Sequence, residues 1–318
     1  MSVHVNIDNF VRAESDRMLV ALQRQAGGVN RLHHNRVPTP VESQPVIRMN
    51  RDTLYSSAVV DLAKPVELVL PQAGDRYLSA MVVNNDHYIP LVLHSAGKYW
   101  LSVTEAGTRY AMIGIRILVD PSDPKDVEAV QALQDAIEVV ADGGEDLVAP
   151  NYDLADLDAT RKALEVLGAG LDSFDGAFGA KGKVDPMRHL IGTATGWGGL
   201  PTSEAVYVSA RPDDPSVDCQ LTMVDVPVDA FWSVSVYNED GFFEPHPSGR
   251  YSVNSVTAVP DADGAVVVRF VHGAPEGPND IPVPERWNMV ARLYQPHDPV
   301  LTGAWRVPPL ARTHPAHA

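Results

Sequence analysis

From residue 45 to about 119 the chain is a succession of short apolar runs, each closed by a turn signal. This texture restricts the fold more than any other feature. The runs cover 46–49, 54–60, 66–70, 77–83, 88–93, 99–103 and 110–119. Between them stand Pro65, Pro71 with Gly74-Asp75, Asn84-Asn85-Asp86, Ser95-Ala96-Gly97 and Gly107. Many short strands spaced by Gly, Asn and Pro predict a sandwich or barrel-like sheet. The texture returns at 204–210, 220–226, 231–237, 251–256, 265–271 and 287–294. In the third of these, Trp232, Val234 and Val236 alternate with Ser233 and Ser235, the period of a half-buried strand. Turn signals at Asn238-Glu239-Asp240-Gly241 and Asp261-Ala262-Asp263-Gly264, with long connections elsewhere, suit Greek-key or jelly-roll wiring.

Helical periodicity is confined to other stretches. Phe10, Met18, Leu19 and Leu22 share a face in an opening helix over 9–25, which Gly27-Gly28 stops. Ser122 or Asp123 caps a helix whose first turn holds Pro124, and its stripe runs Val127, Val130, Leu133, Ile137, Val140 up to Gly143-Gly144. A further helix is predicted near 155–167, and Asp185-Pro186 opens another through Arg188-His189-Leu190. A chain of 318 residues exceeds the usual single core, so two domains are expected. The reading is a mainly β protein with two β-sandwich or jelly-roll-like domains, a helical connector and a short N-terminal helix. The boundaries are 1–44 for helix and lead-in, 45–120 for the first β domain, 121–190 for the connector and 191–318 for the second β domain. The tail after Leu310 reads as frayed.

Charge and cysteine usage narrow the function. The formal net charge is −16, and an acidic surface repels phosphate backbones and anionic lipid, so neither nucleic acid nor membrane is expected as a partner. Cys219 is the single cysteine, which removes intrachain disulfides and cysteine-rich zinc sites. Neither a secretory leader pattern at the N-terminus nor an apolar run long enough for a bilayer is seen, so a cytoplasmic location is expected. No Gly-x-Ser-x-Gly elbow, phosphate loop or Gly-x-Gly-x-x-Gly occurs, and no cofactor is expected.

One run carries most of the candidate chemistry. Asn50, Arg51, Asp52 and Thr53 interrupt two apolar segments, and Tyr55 follows. Arg51 offers a five-donor fork and Asp52 an acceptor-only carboxylate. Strand alternation places Arg51, Thr53 and Tyr55 on one face that Asp52 need not share. Either the run ties the fold together or it faces a ligand. His87, beside Asp86, follows a turn at a strand end, where an imidazole could titrate near neutrality or simply be solvated. Tyr237, Asn238, Glu244, His246, Arg250, Tyr251 and Asn254 crowd one hairpin region. No His-x-His occurs, and His33 and His34 would point to opposite faces of a strand, so no metal ligand is assigned.

Three segments carry a family resemblance. Asn50-Arg51-Asp52-Thr53-Leu54-Tyr55-Ser56 resembles the signature of the bacterial domain of unknown function DUF1254. Phe231-Trp232-Ser233-Val234-Ser235-Val236-Tyr237, with Arg250-Tyr251-Ser252 and Arg292-Leu293-Tyr294, resembles its usual partner, DUF1214. Asp185-Pro186-Met187-Arg188-His189-Leu190-Ile191-Gly192 and Trp197-Gly198-Gly199 resemble shorter members of the group, so the likeness covers about 30 to 309. It implies two β-rich domains, the second jelly-roll-like, and no established activity. Two departures stand out: Leu200-Pro201 follows Trp-Gly-Gly where many relatives have Asn or Pro, and Asp280 stands where some carry Cys or Trp.

The leading expectation is a small-molecule enzyme with hydrolase- or lyase-like acid–base chemistry at the seam of the two domains. Asp52, His87 and Tyr55 are the catalytic candidates. Asn50, Arg51, Arg250 and Tyr251 are the substrate-binding candidates. A non-catalytic binding or assembly module, with the same residues as struts, is the alternative, and a jelly-roll metalloprotein is the third reading. A small-molecule ligand and homo-oligomer formation are the open partner questions.

Overall fold

A computed structural model describes residues 2–44, 47–171 and 173–313. The chain is mainly β and forms two compact units. The first comprises Met1–Val37 and Thr53–Thr202, the second Pro38–Asp52 and Ser203–Ala318. The expected connector therefore packs into the first unit. The expected lead-in and first domain give up a fifteen-residue segment to the second.

The first unit opens with α1 (Phe10–Ala26), closed by Gly27 in the left-handed region at φ 78°. Its strands are β1 (His33–His34), β2 (Thr53–Asp61), β3 (Val66–Leu70), β4 (Leu78–Asn84), β5 (Leu91–Leu93), β6 (Gly97–Leu101), β7 (Tyr110–Leu118) and β8 (Glu138–Val140). Its other helices are α2 (Val103–Ala106), α3 (Pro124–Asp135), α4 (Leu154–Gly168) and α5 (Pro186–Thr195). One antiparallel sheet runs β1-β2-β7-β4-β5, and a smaller one runs β6-β3-β8. Strand alternation sends Leu54 and Val60 of β2 and Ile113, Ile115 and Ile117 of β7 into a core shared with Leu68, Leu101 and Val130. Asp123, Asp153 and Asp185 cap α3, α4 and α5 through backbone N–H groups, with proline at the first turn of α3 and α5.

The helical stripe expected to continue through Val140 ends at Asp135. Glu138–Val140 pairs instead with β3, Glu67 opposite Val140. The β-branched residues Ile137, Val139 and Val140 suit a pleated surface, and an exposed strand edge was there to receive them. Of the strand expected at 46–49, Val46 lies outside the described residues, and Ile47-Arg48 form a turn, with Arg48 at φ 53°. Most of the predicted tail likewise falls outside them, at 314–318.

The second unit holds β9 (Ala205–Ala210), β10 (Cys219–Met223), β11 (Trp232–Asn238), β12 (Ser252–Asn254), β13 (Val266–Val271), β14 (Asp280–Pro282), β15 (Trp287–Tyr294), β16 (Ala311–Arg312) and the short α6 (Asp298–Leu301). Two four-stranded sheets, β14-β13-β10-β16 and β12-β11-β15-β9, face one core. Leu221, Val268 and Phe270 come from one sheet, and Trp232, Val234, Met289 and Ala291 from the other. All pairings are antiparallel except β13 with β14. Among the described residues no helix is long and apolar enough to cross a membrane.

Candidate functional site

The alternation read in 231–237 has an unusual outcome. Trp232, Val234 and Val236 enter the core as expected, but Ser233 and Ser235 on the other face are also fully buried. Strand register puts them in polar rows: Asn254 and Arg292 flank Ser233, and Ser252 and Val290 flank Ser235. Asp52 lies against this face. Its side chain is 1% exposed and accepts a long hydrogen bond from Ser252 Oγ at 3.4 Å on Oδ1. Among the described residues Oδ2 has no hydrogen-bond partner, and neither has Ser233 Oγ. Burial pushes the Asp52 carboxyl above the usual carboxylate range, opposed by the charge of Arg292 and by Ser233, Asn254 and Ser252 around it.

Arg292 is the second pole of the cluster. Its guanidinium donates to Ser235 Oγ at 3.0 Å, Tyr237 Oη at 2.7 Å and the Arg48 carbonyl at 2.9 Å, with a longer contact to the Met49 carbonyl. Burial alone would lower its pKa, but Tyr237, Tyr294 and Asp52 hold it above the ordinary arginine value, so it stays charged. Tyr237 in turn donates to the Met49 carbonyl at 2.6 Å. These bonds fasten the Pro38–Asp52 segment to β11 and β15. Gln44 adds a reciprocal pair with the Phe243 backbone at 2.8 Å, and the Arg48 N–H reaches the Gly241 carbonyl.

The expected substrate-binding residues fall in the same unit with other tasks. Asn50 Nδ2 donates to Tyr294 Oη at 3.0 Å, and its Oδ1 accepts from the Asp52 N–H. Arg51 donates to the Thr39 carbonyl and lies over the Tyr251 ring, 5.4 Å from its centroid. Burial lowers its pKa. Arg250 donates to the Gly277 carbonyl at 2.6 Å, and Tyr251 Oη accepts from the His246 N–H. Arg51 thus anchors the backbone of its own segment at Thr39.

His87 and Tyr55 belong to the first unit. Tyr55 lies under the Arg116 guanidinium, 5.6 Å from the ring centroid. His87 adopts a left-handed φ of 60° in the turn that Asn84 organises, which swings its ring into the interior. The Gly198 N–H donates to Nε2 at 2.8 Å, which leaves the proton on Nδ1. Nδ1–H then donates to Thr193 Oγ1 at 2.8 Å, and the Thr193 hydroxyl donates to the His189 carbonyl at 2.8 Å. Trp197 and His189 stack on the ring, both at 5.4 Å between centroids. Burial, with His189 beside it, pushes the imidazole down to about 3. Both ring nitrogens are engaged, and the imidazole is neutral near pH 7.

The histidine pair at 33–34 diverges as alternation requires: His34 Nδ1 meets Ser56 Oγ, and His33 Nε2 meets Gln25. Among the described residues no group of three or more His, Cys, Asp or Glu could hold a metal ion. A concavity of about 240 Å³ between Arg211, Asp213, Cys219 and Arg312 contains none of the expected site residues. Burial raises the Cys219 thiol there, which keeps it in the unreactive form. Sequence reasoning passed over Arg292 and Ser233 as site residues. The signals were present: a guanidinium in a strand that is otherwise apolar from Met289 onward, and small hydroxyl residues on its neighbour.

Comparison with known proteins agrees with this architecture. Residues 29–89 match the model of a protein of unknown function, DUF1254, and residues 205–298 match that of a second, DUF1214. The chain thus carries both domains in tandem. The VPA0106 protein of Vibrio parahaemolyticus has a similar structure, with a TM-score of 0.74 and 16% identity over 98% of this chain and 100% of that one. An uncharacterised protein from Burkholderia cenocepacia aligns at 0.53 and 14%, over 91% and 84%. At these identities the likeness concerns the fold. No curated protein shows significant sequence similarity to the chain.

Proposed function

We propose that this tandem DUF1254/DUF1214 protein is a small-molecule enzyme of acid–base type, with hydrolase- or lyase-like chemistry, in which Asp52 exchanges the proton. One observation carries the reading: a wholly buried carboxyl, raised by burial, keeps one oxygen without a partner on a polar sheet face shared with a charged arginine. Structural carboxylates are ordinarily fully hydrogen-bonded, and a perturbed one with spare capacity is the commoner property of a proton-transfer site. Arg292 sets the electrostatic field at Asp52, and Ser233 supplies a hydroxyl for orientation. Tyr55 and His87 have no part in the proposal. The second unit's two facing sheets suit the jelly-roll class, and the single cysteine suits the cytoplasm.

The test is a metabolite panel read by thermal shift and by product analysis, on wild type and Asp52→Asn. The expected result is a ligand that stabilises both proteins and is turned over by wild type alone. No ligand-dependent change in wild type would remove the enzyme reading. A specific observation favours the alternative, a non-catalytic binding or assembly module: the polar side chains of Asn50, Arg51, Tyr237 and Arg292 all grip groups of the second unit itself. Binding without turnover in wild type would establish that reading instead.

A further inference from the structure

The small sheet of the first unit ends in an edge that pairs with no further strand among the described residues. In the order β6-β3-β8, strand β6 pairs on one side only, with Leu68 opposite Tyr99 and Glu67 opposite Trp100. Among the described residues, no backbone hydrogen bond outside that ladder engages 97–101. The N–H and C=O groups on the outer side of this five-residue strand are therefore open to a further strand. Alternation turns Tyr99 toward the core and leaves Lys98 and Trp100 on the outer face. Trp100 is 65% exposed, the most exposed aromatic among the large hydrophobic side chains on this surface. An indole in water on an open edge strand is an association surface unless something opposes pairing.

Lys98 is what opposes it, an exposed ammonium held on the outer face by Glu67 of β3 at 3.2 Å. An edge lysine discourages arbitrary strands, because most partners would bury the ammonium against an apolar side chain. One partner adds to the Glu67 pair without burying the ammonium against an aliphatic side chain. If β6 pairs antiparallel with β6 of a second copy about Tyr99, residue numbers across the seam sum to a constant, and Lys98 stands directly opposite Trp100 of the other chain. Directly opposed residues share a face, so each ammonium meets an indole, twice by symmetry. The ends also fit, since Gly97 then faces Leu101 at both margins. The contact is isologous and closes at two copies.

We infer that the protein self-associates through β6, joining the three-stranded sheets of two copies into one six-stranded sheet. The observations that choose a second copy over another partner are the complementary Lys98/Trp100 pair and the symmetry that places it twice.

The experiment is light scattering on the full chain across a concentration series, with wild type, Trp100→Lys and the double variant Lys98→Glu/Trp100→Lys. Wild type is expected to approach twice the 34.4 kDa chain mass. Trp100→Lys opposes two lysines at each position and should weaken the dimer by about tenfold or more. The double variant sets an introduced carboxylate at position 98 opposite an introduced ammonium at position 100 and should restore association. Position 100 is exposed and stands opposite Glu67, the carboxylate that already pairs with Lys98, so the introduced lysine shares that carboxylate in the single variant and takes it over in the double variant; far-ultraviolet circular dichroism checks the fold. A monomeric wild type, a dimer that persists in Trp100→Lys, or a double variant that stays monomeric would each overturn the inference.

Discussion

His87 in the first unit and Asp52 in the second are buried almost equally, 0% and 1% exposed, and both were candidate proton carriers. Their surroundings differ in kind. Each nitrogen of His87 meets one partner of the right type, and aromatic rings cover the faces of the ring. Asp52 meets one long hydrogen bond, keeps an idle oxygen, and feels two opposed influences, burial raising its pKa and Arg292 lowering it. Burial by itself therefore does not mark a site. What separates the two residues is whether the interior has answered every polar atom, because an answered group is held in one protonation state.

The largest test of this contrast is Arg292→Met. It leaves the Arg48 carbonyl, Ser235 and Tyr237 without their donor and Asp52 without its opposing charge. Loss of one partner from a buried charged network costs about 3–5 kcal/mol, read by urea unfolding. A cost under 1 kcal/mol would show that the second-unit cluster is loosely held. His87→Phe keeps an aromatic ring, somewhat larger than the imidazole, and removes both hydrogen bonds. The orphaned Gly198 N–H should cost about 1–3 kcal/mol, while the Thr193 hydroxyl keeps its bond to the His189 carbonyl. A neutral outcome would break the claim that His87 is fully answered.

Acid titration should then separate the two residues by sign. His87 has a folded pKa of about 3, below the unfolded value near 6.5. The unfolded chain therefore binds the proton first, and stability falls as pH drops from about 6.5 toward 3, by about 1.4 kcal/mol per unit from this group. Asp52 runs the other way, because its folded pKa lies above the unfolded value. Its contribution is present in acid and is lost as pH rises from about 4 through the folded pKa. Asp52→Asn should abolish the second dependence and leave the first, and His87→Phe should do the reverse. The smallest effect expected is Ser233→Ala, within about 0.5 kcal/mol, since its hydroxyl forms no hydrogen bond of normal geometry. A cost comparable to His87→Phe would mean that Ser233 is as tightly held as Thr193.

The strands and helix starts were legible because alternation, proline and aspartate caps act locally. The strand at Val66–Leu70 and the buried strand Trp287–Tyr294 were read to the residue. Val140 was not, since its strand exists only because β3 offers an edge distant in sequence. Pairing of that sort is decided by tertiary contact, which a local period does not record. The site was half legible for the same reason. Asn50, Arg51 and Asp52 announce themselves as a polar break, but alternation says nothing of which sheet receives them. Ser233 and Ser235 read as solvent-facing, because small hydroxyls occupy either environment. His87 misled through its neighbours: a polar turn normally points its side chains outward, and the left-handed backbone at His87 points this one inward.

The route of the main chain through 38–52 has a further consequence. The chain leaves the first unit after β1 and returns to it at β2, although these two strands are adjacent and hydrogen-bonded. The two units are thus connected by three passages of backbone, at 37/38, 52/53 and 202/203. No single cut divides the gene product into its parts, and a piece beginning near 203 would lack the residues that cap its own polar sheet. Shuffling of the second domain alone into another protein would leave Arg292 and Tyr237 facing absent carbonyls. In this chain the second unit is complete only with a segment that lies between two paired strands of the first.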